Sequence, residues 1–240
     1  MKISTMGSGL KRLLLLVGFL SIPSAGVFCQ EESAGEVPLV FHTADQCIAC
    51  HNELFSPDGR DVSIGFNWRS SMMGNAGRDP YWMAGVRRES LDHPAAVEVI
   101  EDKCTVCHLP MARTTSTAMG EPSVAFGYFP NLGEGGPHAD LAVDGVSCAV
   151  CHQIRDENLG TFEGFTGGYV IDLTEPLGER PVLGPFEVDA GRTRVMHSAT
   201  EFSPQAASHI QSPEFCANCH TLFTHALDPE GNDAGELAEQ

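Results

Sequence analysis

One short pattern holds eight of the nine cysteines in this 240-residue chain and occurs four times. It is Cys-x-x-Cys-His, and we number its copies units 1 to 4: residues 47–51, 104–108, 148–152 and 216–220. The remaining cysteine is Cys29, near the amino terminus. Because all the others belong to units of fixed internal spacing, a framework of disulfides is the weaker interpretation of this composition.

The spacing within each unit suits covalent attachment of haem. Two thiols three positions apart lie on one face of a helical turn, where both can bond the vinyl groups on one edge of haem. The histidine that follows projects toward the iron as its proximal ligand. We therefore expect four haem c groups. The predicted attachment cysteines are Cys47, Cys50, Cys104, Cys107, Cys148, Cys151, Cys216 and Cys219, and the predicted proximal ligands are His51, His108, His152 and His220.

Two other chemistries use paired cysteines and stay open as alternatives. Zinc binds Cys and His in tetrahedral sites, but it does not require a histidine directly after every second cysteine. A thioredoxin-like redox motif needs one unit at the start of a helix that follows a strand, not four dispersed units. Haem accounts for the whole pattern.

The amino-terminal residues are typical of an export signal. Lys2, Lys11 and Arg12 are basic, residues 13–22 are apolar, and small residues follow. The apolar run is too short to span a bilayer comfortably. We predict a signal peptide over residues 1–29 and a periplasmic or otherwise exported protein. Membrane association, as in a tethered quinol dehydrogenase, requires that this segment be retained.

The charge of the chain indicates which partners to expect. The formal net charge is -18, whereas binding to nucleic acid depends on clustered lysine and arginine. We expect no nucleic acid partner. Redox proteins with a basic docking face fit an acidic surface better.

The sequence predicts a mainly α fold with much irregular loop, in which short helices wrap around haems in a tetrahaem cytochrome c domain over residues 36–226. Helical periodicity is clearest over residues 94–108, and a second helix is expected over 80–91. Residues 169–173 carry the one convincing strand pattern, so we expect at most a small β-hairpin. Residues 227–240 are expected to form an acidic tail or to begin a further region.

Six histidines lie outside the units, and four irons need at most four distal ligands. Four of the six precede a unit on a loop or short helix that can fold back over a porphyrin, and we predict these as distal ligands: His42, His138, His197 and His209. His93, at a helix start, and His225, just after unit 4, are less suitably placed. For any single one, the alternative is a hydrogen-bonded or surface histidine.

Two further segments carry a resemblance to a known family: residues 144–152, which read DGVSCAVCH, and residues 68–73, which read WRSSMM. With the four units, they make residues 41–222 similar to the multihaem cytochromes related to the tetrahaem electron acceptor of hydroxylamine oxidoreductase in ammonia-oxidising bacteria. In that family a histidine commonly follows the tryptophan by about one helical turn and ligates a haem.

Here Met72 and Met73 hold the corresponding place. The resemblance makes Met73 a candidate iron ligand, and a thioether in place of imidazole raises the reduction potential of a haem. The alternative is that these methionines pack against a porphyrin face.

The expected function is electron transfer through the four haems. The alternative is a haem-based oxidoreductase that acts on small nitrogen compounds at a five-coordinate haem, since related proteins include such enzymes. The chain has no Cys-x-x-Cys-Lys unit of the kind found in pentahaem nitrite reductases, and its histidine surplus allows every iron to be six-coordinate.

Overall fold

The computed structural model describes residues 40–129 and 138–239. The predicted signal peptide over residues 1–29 and the first residues of the predicted domain lie outside these ranges.

Helices supply most of the regular structure. The α-helices are α1 (Ala44–Ile48), α2 (Ile64–Arg69), α3 (Pro80–Asp92), α4 (Val97–His108), α5 (Pro110–Ala118), α6 (Ala139–Val143), α7 (Cys148–Cys151), α8 (Ala190–Thr200) and α9 (Pro213–His220). Short 3₁₀ turns cover Met73–Arg78, Pro94–Ala96, Leu177–Glu179 and Ser208–Gln211. The strands are β1 (Pro181–Gly184), β2 (Ser203–Ala206), β3 (Phe223–Leu227) and β4 (Asp233–Glu239). The mainly α class with small sheets is confirmed.

Helices α3 and α4 follow from local sequence signals. Asp79 caps α3 by accepting a hydrogen bond from the backbone N–H of Tyr81 at 2.9 Å, and Pro80 occupies the first helical position. Pro94 prevents α3 from continuing and begins the 3₁₀ turn that leads into α4. The two predicted helices are therefore confirmed, with the first three residues of the range 94–108 in 3₁₀ form.

The strands lie where the sequence did not predict them. Strands β1 and β2 pair in parallel, and β3 and β4 form an antiparallel hairpin. The strand prediction over residues 169–173 is wrong, because only Ile171 pairs there, in an isolated bridge to Ile154. Side chains fix this loop instead: the Tyr169 hydroxyl donates to the carbonyl of Val106 at 2.9 Å.

Residues 227–239, part of the range expected to form an acidic tail or to begin a further region, contain a turn and a strand. Asp228 begins a turn in which its Oδ1 accepts hydrogen bonds from the backbone N–H groups of Glu230 at 3.0 Å and Asn232 at 2.8 Å. Gly231 takes a left-handed conformation with φ of 86°. This turn reverses the chain, so that β4 pairs with β3 although every side chain of β4 is exposed.

The described core consists of two small clusters on either side of the start of α5. One contains Met111 with Val40, Phe41, Ala149, Val150 and Ile154, and the other contains Leu109 with Ala112, Tyr128, Phe129 and Ala142. Both clusters include residues next to or within a Cys-x-x-Cys-His unit. The core therefore positions unit 2, at the end of α4, and unit 3, in α7.

Gly77 provides a test of this packing. A Cβ at Gly77 would lie 2.1 Å from the carbonyl oxygen of Ala142 and 2.9 Å from Leu109 Cδ2. We expect Gly77→Ala to lower the free energy of unfolding by roughly 1–3 kcal/mol through overpacking.

Gly85 is the matched control, because it is exposed on α3 with no atom near the added methyl. Gly85→Ala should raise the free energy of unfolding by about 0.5–1 kcal/mol. Chemical denaturation of both variants measures the difference, and equal stabilities would contradict the packing of α6 against this glycine.

Candidate functional site

Each Cys-x-x-Cys-His unit lies on a helix or at its end. Unit 1 spans the end of α1 and the turn after it, unit 2 is the last turn of α4, unit 3 is α7 with His152, and unit 4 is the last part of α9. In unit 1 the N–H of His51 donates to the carbonyl of Cys47 at 2.9 Å. In unit 3 the N–H of His152 donates to the carbonyl of Cys148 at 3.0 Å. Helical turns thus bring two thiols and one imidazole together in these units.

Thiols of different units lie next to one another, and each of these cysteines is half-buried. The proximity of Cys148 in unit 3, together with burial, raises the pKa of Cys47 in unit 1. The proximity of Cys107 in unit 2 likewise raises the pKa of Cys219 in unit 4.

Units 3 and 4 are also neighbours. Cys151 is close enough to Cys216 for their charges to interact, and burial raises the pKa of Cys151 to about 11. The four units therefore follow one another in space in the order 1, 3, 4, 2. Within the described ranges, no group of three or more His, Cys, Asp or Glu side chains is arranged as a metal-ion site. The cysteines of different units meet in pairs, whereas the zinc alternative needs four ligands around one ion.

A cavity of about 340 Å³ lies between units 2, 3 and 4. Its walls include Met72, Met73, Cys107, His108, Val150, Cys151, Ile154, Tyr169, Phe215, Cys216, Cys219 and His220. Thiols from three units and imidazoles from units 2 and 4 thus open into one largely apolar space. Such a lining suits a flat apolar group that is bonded at its edge and ligated at its centre.

His152 has the hydrogen bonding expected of a proximal ligand. Its Nδ1–H donates to the carbonyl of Leu183, and the N–H of Leu183 donates back to the carbonyl of His152 at 2.6 Å. Because a carbonyl only accepts, the proton is on Nδ1 and the lone pair is on Nε2. This tautomer leaves Nε2 able to bind a metal, with the second nitrogen fixing the orientation of the ring.

His108 is held by stacking. Its ring lies parallel to Trp82 with centroids 4.6 Å apart and an interplanar angle of 8°. Burial lowers the pKa of His108, so the imidazole is neutral near pH 7. Its Nδ1 is buried and forms no hydrogen bond within the part of the chain that the structure describes.

His42 and His138, two of the predicted distal ligands, present buried nitrogens that lack hydrogen bonds to any described residue. The atom concerned is Nε2 in His42, and it is both ring nitrogens in His138, which is only 2% exposed. Nε2 of His138 lies 3.5 Å from a carboxylate oxygen of Glu121. An unpaired buried nitrogen costs free energy, so both imidazoles suit a further bonding partner such as iron.

His197 and His209 are engaged differently. Nε2 of His197 is 2.9 Å from the carbonyl of Gly178, and Nε2 of His209 is 2.9 Å from the carbonyl of Ile154. Each Nε2 therefore carries the proton here, and the distal-ligand role of these two histidines stays a prediction. His93 and His225 are exposed and lie beside Glu89 at 3.8 Å and Asp233 at 3.0 Å, respectively.

The two segments behind the family resemblance contact each other. Nε1–H of Trp68 donates to the carbonyl of Val146 at 2.8 Å, and the N–H of Val146 donates to the carbonyl of Met73 at 3.0 Å. Gly145, with φ of 66°, lies between them, and a Cβ there would be 2.9 Å from the Met73 carbonyl oxygen. Met73 is thereby fixed at the cavity wall, next to unit 3.

Several residues at the site make contacts that the sequence did not predict. Asp144 joins unit 1 to unit 3 by accepting a hydrogen bond from the N–H of Ala44 at 2.7 Å. Trp82 stacks on His108, and the buried Arg180 lies beside unit 3. Asp144 belongs to the segment that prompted the family resemblance, and an isolated tryptophan or arginine gives no pattern from which such contacts could be predicted.

Comparisons with known protein families, with curated proteins and with solved structures found no match to this chain. Over residues 40–129 and 138–239, helices long and apolar enough to cross a membrane are absent.

The position of Met73 gives a test of its predicted ligand role. Met73 is 48% exposed and lines the cavity together with Met72, which makes Met72 a matched control. If Met73 ligates an iron, Met73→Ala should abolish the near-infrared band of a methionine-ligated ferric haem, and Met72→Ala should keep it. Absorption spectra of the oxidised haem-loaded protein measure this. Unchanged Soret and near-infrared features in Met73→Ala would leave only packing as the role of Met73.

Proposed function

We propose that this chain is an exported tetrahaem c-type cytochrome that transfers electrons between redox partner proteins. The observation that carries the proposal is the succession of thiol contacts between units: Cys47 with Cys148, Cys151 beside Cys216, and Cys219 with Cys107. Attachment points that lie this close would hold four cofactors in one uninterrupted series. The similarity to the tetrahaem cytochrome family, and its fold of short helices around haems, are part of the same proposal.

Haem c supplies an iron that takes up and releases one electron. The residues of the chain determine where this happens and at what potential. The paired thiols of each unit would hold the group by its edge, and the imidazole that follows would ligate it. His152 has its Nδ1 proton on the Leu183 carbonyl, which orients Nε2 for this role.

The two ends of the series differ in exposure. Unit 1 is close to solvent, because Cys50 and His51 are both exposed. A groove of about 440 Å³ adjoins it, with apolar walls at Ile48, Phe55 and Phe66, acidic residues at Glu53 and Asp61, and one basic residue, Arg69. We infer that electrons enter or leave at unit 1, where a basic face on a redox partner would complement the acidic surface.

The covalent attachment has a direct test. The full chain purified from the exported compartment should carry the added mass of four haems in intact-protein mass spectrometry. Replacing both cysteines of unit 3, Cys148→Ser with Cys151→Ser, should remove one haem from that total. Cys29→Ser is the matched control, because Cys29 belongs to no unit and its loss should leave four. A native chain with no added mass would refute the proposal.

One observation favours the alternative of a catalytic five-coordinate haem. Of the four predicted distal histidines, His197 and His209 already use Nε2 for hydrogen bonds to backbone carbonyls. Ligation through Nε2 would require these rings to give up those bonds. An iron left without a distal ligand could bind a small nitrogen compound.

Electron paramagnetic resonance of the oxidised protein separates the two functions. We expect low-spin signals alone if every iron has two axial ligands, as an electron carrier requires. A strong high-spin signal, diminished by added nitrite or hydroxylamine, would instead support catalysis at an open iron. The same sample analysed by mass spectrometry controls for incomplete haem loading.

A further inference from the structure

We propose that Arg180 is a positioning residue that holds the Leu183 carbonyl against His152 and thereby tunes the iron that His152 ligates. The inference rests on the proposed function, because it concerns the iron that His152 would ligate. Arg180 itself belongs to no Cys-x-x-Cys-His unit. The inference is based on the position of Arg180, which directly precedes β1 and contacts Gln153, the residue after His152.

Arg180 is buried, with 4% of its surface exposed. Its Nη1–H donates to Oε1 of Gln153 at 2.8 Å, and its Nη2–H donates to the carbonyl of Val40. The guanidinium also lies over the ring of Phe202, with Cζ 5.9 Å from the ring centroid. These contacts link three separate parts of the chain.

The partners in these hydrogen bonds are neutral, and the carboxylate of Asp172 compensates the buried charge only through its electrostatic attraction. Burying a charge is unfavourable unless it is well compensated, and an apolar side chain of similar volume often gives equal or greater stability. The planar fork of a guanidinium can bond two acceptors in fixed directions, whereas a lysine ammonium is a point charge on a flexible stem. The benefit of arginine here is therefore geometric.

The geometry that Arg180 fixes is that of the hydrogen bond from His152 Nδ1 to the Leu183 carbonyl. Gln153 directly follows His152, and its Nε2–H donates to the carbonyl of Ala149 within unit 3. Arg180 directly precedes β1, in which Leu183 is buried. The hydrogen bond from Arg180 to Gln153 therefore links the start of β1 to the end of unit 3. The reciprocal hydrogen bonds of His152 and Leu183 lie next to this link.

This bond influences the metal through the imidazole. When Nδ1–H donates to a carbonyl, the ring becomes a stronger electron donor at Nε2. A stronger donor favours the ferric state, so the bond lowers the reduction potential of the iron attached to His152. Loosening it should raise that one potential and leave the other three unchanged.

The experiment uses the haem-loaded full chain with Arg180→Met, which keeps the volume and removes the fork, and with Arg180→Lys, which keeps the charge. The control is Arg192→Met, since Arg192 is exposed and its Nη1–H donates to the neighbouring Asp189 at 2.6 Å. Redox titration gives the four potentials, and hydrogen exchange with mass spectrometry follows the peptide that contains Leu183. We expect Arg180→Lys to raise one potential and to speed exchange at Leu183. Arg180→Met should speed exchange further, but the loss of its positive charge lowers the same potential and offsets the rise. Arg192→Met should change neither.

Two results would overturn the inference. If Arg180→Met carries four haems and leaves all potentials and the Leu183 exchange rate unchanged, Arg180 does not position the bond, although the proposed function stands. If the wild-type chain carries no haem, both proposals fall. Should Arg180→Met not fold, Gln153→Met removes the Nη1 hydrogen bond alone and must raise the same single potential. Four unchanged potentials in Gln153→Met would equally contradict the inference.

Discussion

The contacts between cysteines of different units are the constraint on which the rest of this structure depends. They bring together the ends of α1, α4, α7 and α9, helices that are far apart in the sequence. Neither core cluster is large, and each is built next to one of these helix ends. The loops between the units therefore serve mainly to return the chain to the same interior, which explains why so much of the fold is irregular.

The features that could be predicted from the sequence are those with local causes. A proline and a capping aspartate fix α3, apolar periodicity fixes α4, and internal spacing identifies each unit. The strands β1 and β2 could not be predicted, because a parallel pair of four residues each depends on long-range contacts. Residues 169–173 show the reverse case, in which a local pattern predicts a strand that does not form. Their alternating apolar side chains pack against the core, and Tyr169 donates a hydrogen bond from its side chain instead of pairing in a sheet.

For the predicted distal histidines, too, the sequence gives less information than the structure. The sequence identifies His42, His138, His197 and His209 by position alone, which says nothing about what each ring nitrogen contacts. In the structure two of them present buried nitrogens without hydrogen bonds to described residues, and two use Nε2 for backbone carbonyls. The contact between segments 68–73 and 144–152, through Trp68 and Val146, could not be predicted from the sequence either, because 78 residues separate the two partners.

The hairpin of β3 and β4 has a consequence for how copies of this chain behave in concentrated solution. The described part of β4 pairs only with β3, and its side chains are all exposed, so its outer edge could accept a strand from a second molecule. Asp233, Glu236 and Glu239 place negative charge along this edge. Like charges that approach each other repel, and such gatekeeping charges are a common protection against edge-to-edge aggregation. The acidity of this segment would thus oppose pairing between the hairpins of two copies.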